Sequence, residues 1–223
     1  MNWIKVCGMR DAENIRALEE QAKPDLMGFI CWEHSPRYVS EMPAYLPKCP
    51  RVGVFVNPTL DYILERSKAF GFSYIQLHGN ELPEFCQKVC QQTGLKIIKA
   101  FSIDKWTMDD ERWKMYEGVA DLFLFDTKCK SMGGSGQQFD WDILHNYKGE
   151  TPFLLSGGIC FEDTEHLKHW HHTKCIGIDI NSRFETAPGI KDVATIVKFI
   201  RSLSPALSKG KSLSPTLSKG KGE

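Results

Sequence analysis

The sequence predicts one (β/α)8 barrel of the α/β class, and three observations predict it. Apolar, β-branched or aromatic runs recur near residues 4–7, 26–31, 52–56, 74–77, 96–101, 120–125, 152–155 and 175–180. Amphipathic stretches with helical spacing fill most of the gaps, and such alternation builds a parallel sheet with right-handed crossovers. Polar residues cluster at the downstream ends of the runs, which converge on one rim in a closed barrel. The competing architecture, an open nucleotide-binding sheet, carries a glycine fingerprint after its first strand. Here that strand ends in CGMRD, with one glycine. Eight units of roughly 20–30 residues fit the small end of the barrel range.

Taken in order, the first run, IKVCG, leads into DAENIRALEEQA (11–22), for which Asp11 is the expected N-cap. PTLDYILERSKAF (58–70) places Pro58 in a first helical turn, where its missing N–H costs nothing. ELPEFCQKVCQQ (81–92) and FEDTEHLKHW (161–170) read as further helices, and Gly71, Gly94 and Gly149 fall where helices should stop. Cys86 and Cys90 share a face of the third helix, a packing pattern before a metal or redox pair. The barrel is expected to occupy residues 1–203. Residues 204–223 contain a tandem decapeptide, SLSPALSKGK and SLSPTLSKGK, whose composition buries too little apolar surface to offset chain entropy, so a disordered tail is expected.

Composition excludes several functions. Lys plus Arg and Asp plus Glu both number 28, so no global basic field concentrates nucleic acid or anionic membrane. No apolar run approaches the roughly 18 residues of a membrane span, and the first strand leaves no room for a signal peptide. A cytoplasmic protein with eight reduced cysteines is expected.

The chemistry sits on the strand ends. LSGGI, with Gly157 and Gly158, and DINS, with Asp179, Asn181 and Ser182, end strands seven and eight. Barrels often hold phosphate in these two loops, and a short helix after strand eight would aim its positive end there. Asp126 ends LFLF, where it is either an acid at the mouth or a cap acting through Thr127. Cys7 is either a small core residue or a base; both residues lie on strand ends of one rim, which favours an acid/base pair. A thiol base needs a lowered pKa, which Lys5 on the same strand face could supply, unless it only pairs with Asp179. Arg37 in SPRY presents a fork suited to a carboxylate. His78 in QLHG either orients substrate or caps a loop. GGSG (133–136) lacks the Lys-Ser/Thr of a nucleotide loop and reads as a closing lid. His166, His169, His171, His172 and Cys175 look like metal ligands, but they run along the opposite rim, so no metal is expected.

In this order, KVCGMR, SPRYV, VGVFVN, QLHG, FDT, GGSGQQFDW, LSGGI and DINSRFETAPGIKD resemble phosphoribosylanthranilate isomerase, over residues 3 to about 201. The resemblance implies a cofactor-independent Amadori rearrangement of a small phosphoribosyl substrate in tryptophan biosynthesis. It implies Asp126 as general acid, Cys7 as general base, Arg37 on the anthranilate carboxylate, and amides around Gly157, Gly158, Asn181 and Ser182 on the phosphate. It also implies a monomer. CWEH (31–34), Ser135 and Arg183 depart from the family pattern, and Arg183 is left outside the expected site. Two other functions compete: a related phosphosugar isomerase of histidine synthesis, which would use two aspartates, and a non-catalytic phosphoribosyl binder, which would not need Cys7.

Overall fold

A computed structural model describes residues 3–103, 111–127 and 141–207. Eight parallel strands close into a barrel in sequence order: β1 (Trp3–Val6), β2 (Leu26–Ile30), β3 (Arg51–Phe55), β4 (Tyr74–Leu77), β5 (Lys96–Ile103), β6 (Leu122–Thr127), β7 (Phe153–Ser156) and β8 (Cys175–Ile180). Each lies within two residues of its expected position. The ring closes between β1 and β8, where Lys5 is in register with Asp179.

Alternate strand residues divide the core. Leu26, Val52, Val54, Ile98, Ala100, Leu122, Leu124 and Leu154 fill the barrel with Cys7. A larger apolar layer, including Phe29, Phe55, Phe123, Phe125 and Phe153, packs the outer strand faces against the helices. Gly177 in β8 is required by close approach, since a Cβ there would lie 2.1 Å from the Trp3 carbonyl oxygen.

The helices are α1 (Ala12–Gln21), α2 (Leu60–Phe70), α3 (Pro83–Thr93), α4 (Thr164–His169) and α5 (Val193–Leu207). Asp11 caps α1 as expected, accepting the Asn14 N–H at 2.8 Å. In α2 the expectation shifts, because Thr59 is the cap and Pro58 precedes it. The proline in a first turn is instead Pro83, in α3. Gly71 and Gly94 end α2 and α3 in the left-handed conformation. Gly149 ends no helix. It allows a close approach, since a Cβ there would meet Glu117 Oε1 at 2.4 Å and the Tyr147 hydroxyl at 2.5 Å. Cys86 and Cys90 pack against the core layer, and the described cysteines are all free thiols.

Helices cover fewer gaps than expected. The β2–β3 connection has no helix, because Pro36, Pro43, Pro47 and Pro50 interrupt it. The described parts of the β5–β6 and β6–β7 connections carry only 3₁₀ segments, Arg112–Tyr116 and Trp141–Asn146. After β8 come a 3₁₀ turn (Ser182–Phe184) and a small antiparallel hairpin, β9 (Glu185–Ala187) with β10 (Ile190–Lys191). Helix α5 extends to Leu207, past the expected start of the tail at Ser204. The remainder of the tail and the GGSG stretch lie outside the described residues.

One buried ion pair fixes the loop after β4. The Lys99 ammonium donates to Glu81 Oε2 at 3.0 Å, to Gly79 O at 2.8 Å and to Leu77 O at 3.1 Å. Glu81 also accepts the backbone N–H groups of Asn57 and Gly79. Lys99→Ala leaves a buried carboxylate without its counter-charge and is expected to cost about 3–5 kcal/mol, read as a lower urea midpoint with an unchanged m-value.

Candidate active site

The strand ends meet as anticipated. Cys7, Gln76, His78, Asp126, Ser156, Gly157, Gly158, Asp179, Asn181, Ser182 and Arg183 line one cavity at the C-terminal rim, over a floor that includes Ile30 and Val54. The expected acid and base thus open into a shared space. Of the expected site residues, only Arg37 is not part of this lining.

Cys7 follows the last residue of β1, and its N–H donates to Ile180 O at 2.9 Å. Gly28 in β2 makes room for it: a Cβ there would come within 2.8 Å of Cys7 Sγ and 3.3 Å of Lys5 Nζ. Sequence reasoning missed Gly28, although a lone glycine inside a strand signals such an approach.

Both readings of Lys5 hold together. Fully buried, its ammonium donates to Asp179 Oδ1 at 2.8 Å, while its charge and hydrogen bond also favour the Cys7 thiolate. The net shift differs from the expectation. Burial outweighs Lys5 and pushes the Cys7 thiol above its ordinary range. Burial also opposes the Lys5 charge, but Asp179 and Cys7 overcome it and hold the ammonium above the ordinary lysine value. The stability this lends is complete below the ordinary lysine pKa and is lost only as pH rises through the raised value. Lys5→Met is therefore expected to push the Cys7 thiol higher still, shown by slower thiol alkylation across a pH series. An unchanged thiol titration would remove Lys5 from this role.

Asp126 is the penultimate residue of β6, its carboxylate is half-buried, and Oδ2 lies 3.4 Å from His78 Nε2. The other ring nitrogen, Nδ1, is 2.9 Å from the Gln76 carboxamide nitrogen. An amide NH2 only donates, so this contact places the ring proton on Nε2, facing Asp126. His78 thus faces Asp126 across the cavity. Gln76, buried in β4, was not anticipated; its signal was one amide in an apolar strand.

At the other end of the cavity, Gly157 and Gly158 both have positive φ, 101° and 65°, a turn that β-carbons disfavour. Ser156 Oγ lies 3.4 Å from Asp179 Oδ2. The expected helix after β8 is a three-residue 3₁₀ turn, too short to develop a macrodipole, so the anion-binding argument passes to individual amides. Arg183, left out of the expected site, joins the lining. Asn181 turns its Oδ1 to the Lys191 ammonium at 2.7 Å.

Arg37 stands beside this cavity, behind Gly8. A Cβ on Gly8, at φ 78°, would meet Arg37 Cδ at 2.9 Å and Asn181 Oδ1 at 2.8 Å. Its guanidinium is held by Glu185, with Nε at 2.9 Å from both oxygens and Nη2 at 2.7 Å from Oε2. Sequence reasoning missed this pair, 148 positions apart.

The histidine-rich stretch on the opposite rim gathers no metal set; among the described residues no three His, Cys, Asp or Glu side chains are placed to hold an ion. His166 instead stacks on Trp141, with ring centroids 4.7 Å apart. No described helix is long and apolar enough to cross a membrane.

Comparison with known proteins agrees with this geometry. Residues 4–202 match the family model for N-(5'-phosphoribosyl)anthranilate (PRA) isomerase. The N-(5'-phosphoribosyl)anthranilate isomerase of Phocaeicola vulgatus is 52% identical over 201 residues, 90% of this chain and 97% of that one. A phosphoribosylanthranilate isomerase crystal structure in complex with reduced 1-(o-carboxyphenylamino)-1-deoxyribulose 5-phosphate is similar with a TM-score of 0.72 and 28% identity, covering 92% of this chain and all of that one. A structure of monomers generated from the dimeric Thermotoga maritima protein matches with a TM-score of 0.72 and 26% identity, over 92% and 99% of the two chains.

Proposed function

Because the chain belongs to the N-(5'-phosphoribosyl)anthranilate isomerase family, we propose that its cavity performs the rearrangement with Asp126 as acid and Cys7 as base. The activity is the isomerisation of N-(5'-phosphoribosyl)anthranilate to 1-(2-carboxyphenylamino)-1-deoxyribulose 5-phosphate, a step of tryptophan biosynthesis. The single observation that carries the assignment of roles is the common cavity lined by both residues.

The phosphate is held by amides around Gly157, Gly158, Asn181 and Ser182, with Arg183 adding charge. That end fixes the ribose between the two catalytic groups. Asp126 gives its proton to the ring oxygen. The C1'–O bond breaks as the anilino nitrogen lone pair forms the C1'=N bond, giving an open-chain iminium. Cys7 then takes the C2' proton, and the released pair forms C1'=C2' while the nitrogen becomes neutral. In the resulting enolamine C1' takes a proton back from the Cys7 thiol as the 2'-hydroxyl proton passes to the Asp126 carboxylate, giving the 2'-ketone and returning both groups to their starting states. Every proton moved belongs to a side chain or the substrate, so no cofactor enters the scheme. After its transfer Asp126 is a carboxylate, and the His78 Nε2–H stabilises it there. Arg37 receives the anthranilate carboxylate.

The placement of Cys7 favours this reading over a binder that needs no base and over a relative using two aspartates. Consumption of the fluorescent anthranilate substrate by the purified chain, set beside the histidine-pathway ribonucleotide, tests it. Turnover of the second substrate alone would overturn it. A cytoplasmic location fits the free thiols, and a barrel running to the end of α5 at Leu207, followed by a dispensable tail, completes the reading. The chain is taken as a monomer; sedimentation at 25.4 kDa rather than twice that mass decides against a dimer.

A further inference from the structure

Two cations beside the cavity share one carboxylate. Glu185, with its side chain only 4% exposed, accepts from Arg37 on both oxygens and from the Lys191 ammonium on Oε1 at 2.6 Å. The Gly189 N–H adds a bond to the same oxygen at 3.1 Å. The Lys191 side chain is fully buried, and its other bonds, to Asn181 Oδ1 and to the Asn181 carbonyl, are to neutral groups. The trio therefore carries one positive charge without a counter-ion in a region largely screened from water, where uncompensated charge is costly. Burial, offset only in part by Glu185, holds Lys191 below the ordinary lysine range.

The orientation of the guanidinium is equally telling. Glu185 takes the Nε and Nη2 side of Arg37, and among the described residues no partner takes Nη1. The end-on edge, Nη1 with the second Nη2 hydrogen, remains for another planar anion. A fork held on one edge loses less freedom on binding a carboxylate with the other.

We infer that Glu185 is a positioning residue which, by fixing Arg37 against Lys191, sets the preference of this site for substrates bearing an aromatic carboxylate. The inference rests on the reading of Arg37 as carboxylate clamp and adds what makes that clamp selective. Glu185 touches no reacting atom. It presents the free edge of Arg37 and leaves the surplus charge that an incoming carboxylate neutralises.

The test is the ratio of kcat/KM for N-(5-phosphoribosyl)anthranilate to that for N-(5-phosphoribosyl)aniline, which lacks the carboxylate. The ratio cancels the amount of folded enzyme, so a merely structural role leaves it unmoved. Glu185→Gln is expected to lower it about tenfold, chiefly through KM for the carboxylated substrate. An unchanged ratio overturns the inference. Should the glutamine variant be insoluble, Glu185→Asp carries the same test: its shortened side chain cannot span both cations, so the ratio must fall, and an unchanged one again overturns. Arg37→Ala separates the two levels. A ratio unaltered by Arg37→Ala removes the clamp itself, whereas a ratio altered by Arg37→Ala and unaltered by either Glu185 variant removes only the role of Glu185.

Discussion

Asp126→Asn lowers kcat for the rearrangement by about 10²–10⁴-fold, the usual contribution of a positioned proton donor, while affinity for a reduced product analogue persists. Asparagine keeps the size of the side chain, and its amide still faces His78 Nε2, which lies 3.4 Å from the carboxylate in the wild type. What it lacks is a proton to surrender. The loss therefore falls on the chemical step, and stopped-flow single turnovers separate it from binding. Normal turnover by this variant would mean that ring opening draws its proton from elsewhere. The contact from Gln76 holds the His78 ring that faces Asp126 in one orientation before substrate arrives, so little is spent on arranging that ring in the transition state.

Cys7→Ser is the second large effect, again about 10²–10⁴-fold in kcat. A hydroxyl ionises at far higher pH than a thiol, and the pocket that burial makes unfavourable to a thiolate is no kinder to an alkoxide. The pH dependence follows from the same shift. Burial raises the thiol above its ordinary value despite Lys5 and Lys191, so free Cys7 is mostly protonated near neutrality. The base must be deprotonated to act. Accordingly the rate of Cys7 alkylation, which needs the thiolate and not the Asp126 proton, should climb with pH through neutrality and continue into the alkaline range, levelling only above the ordinary thiol pKa. An alkylation profile already flat at pH 7 would mean that the pocket lowers the thiol instead of raising it.

The parts of the molecule that local chemistry dictates were legible in the sequence. Strands showed as short apolar runs because a parallel strand is buried on both faces, and the rim showed because each run stopped at a polar group. Asp11, Gly71 and Gly94 were readable as helix ends because capping depends on the residue itself and its immediate neighbours. Gly149 misled for the opposite reason: its requirement comes from Glu117 and Tyr147, which no local pattern reveals. The four prolines between β2 and β3 argue against a helix there, yet amphipathic spacing alone suggested one for most gaps. In the site, Cys7, Asp126 and the paired glycines were found because each ends a strand. Glu185 and Lys191 were not, since a carboxylate in a hairpin gains meaning only when folding brings it to an arginine 148 positions away.

The seam between β1 and β8 has a consequence for biogenesis. Lys5 and Asp179, which pair across it, are separated by 174 positions, and Cys7 takes its backbone partner from Ile180. Contacts of such separation form late, after shorter loops have closed. During synthesis the thiol therefore waits, without Asp179 and Ile180 to close the seam beside it, until nearly the whole barrel has left the ribosome. An emerging chain has no working pocket at any earlier stage, and its Cys7 thiol is most open to oxidants and electrophiles in that interval.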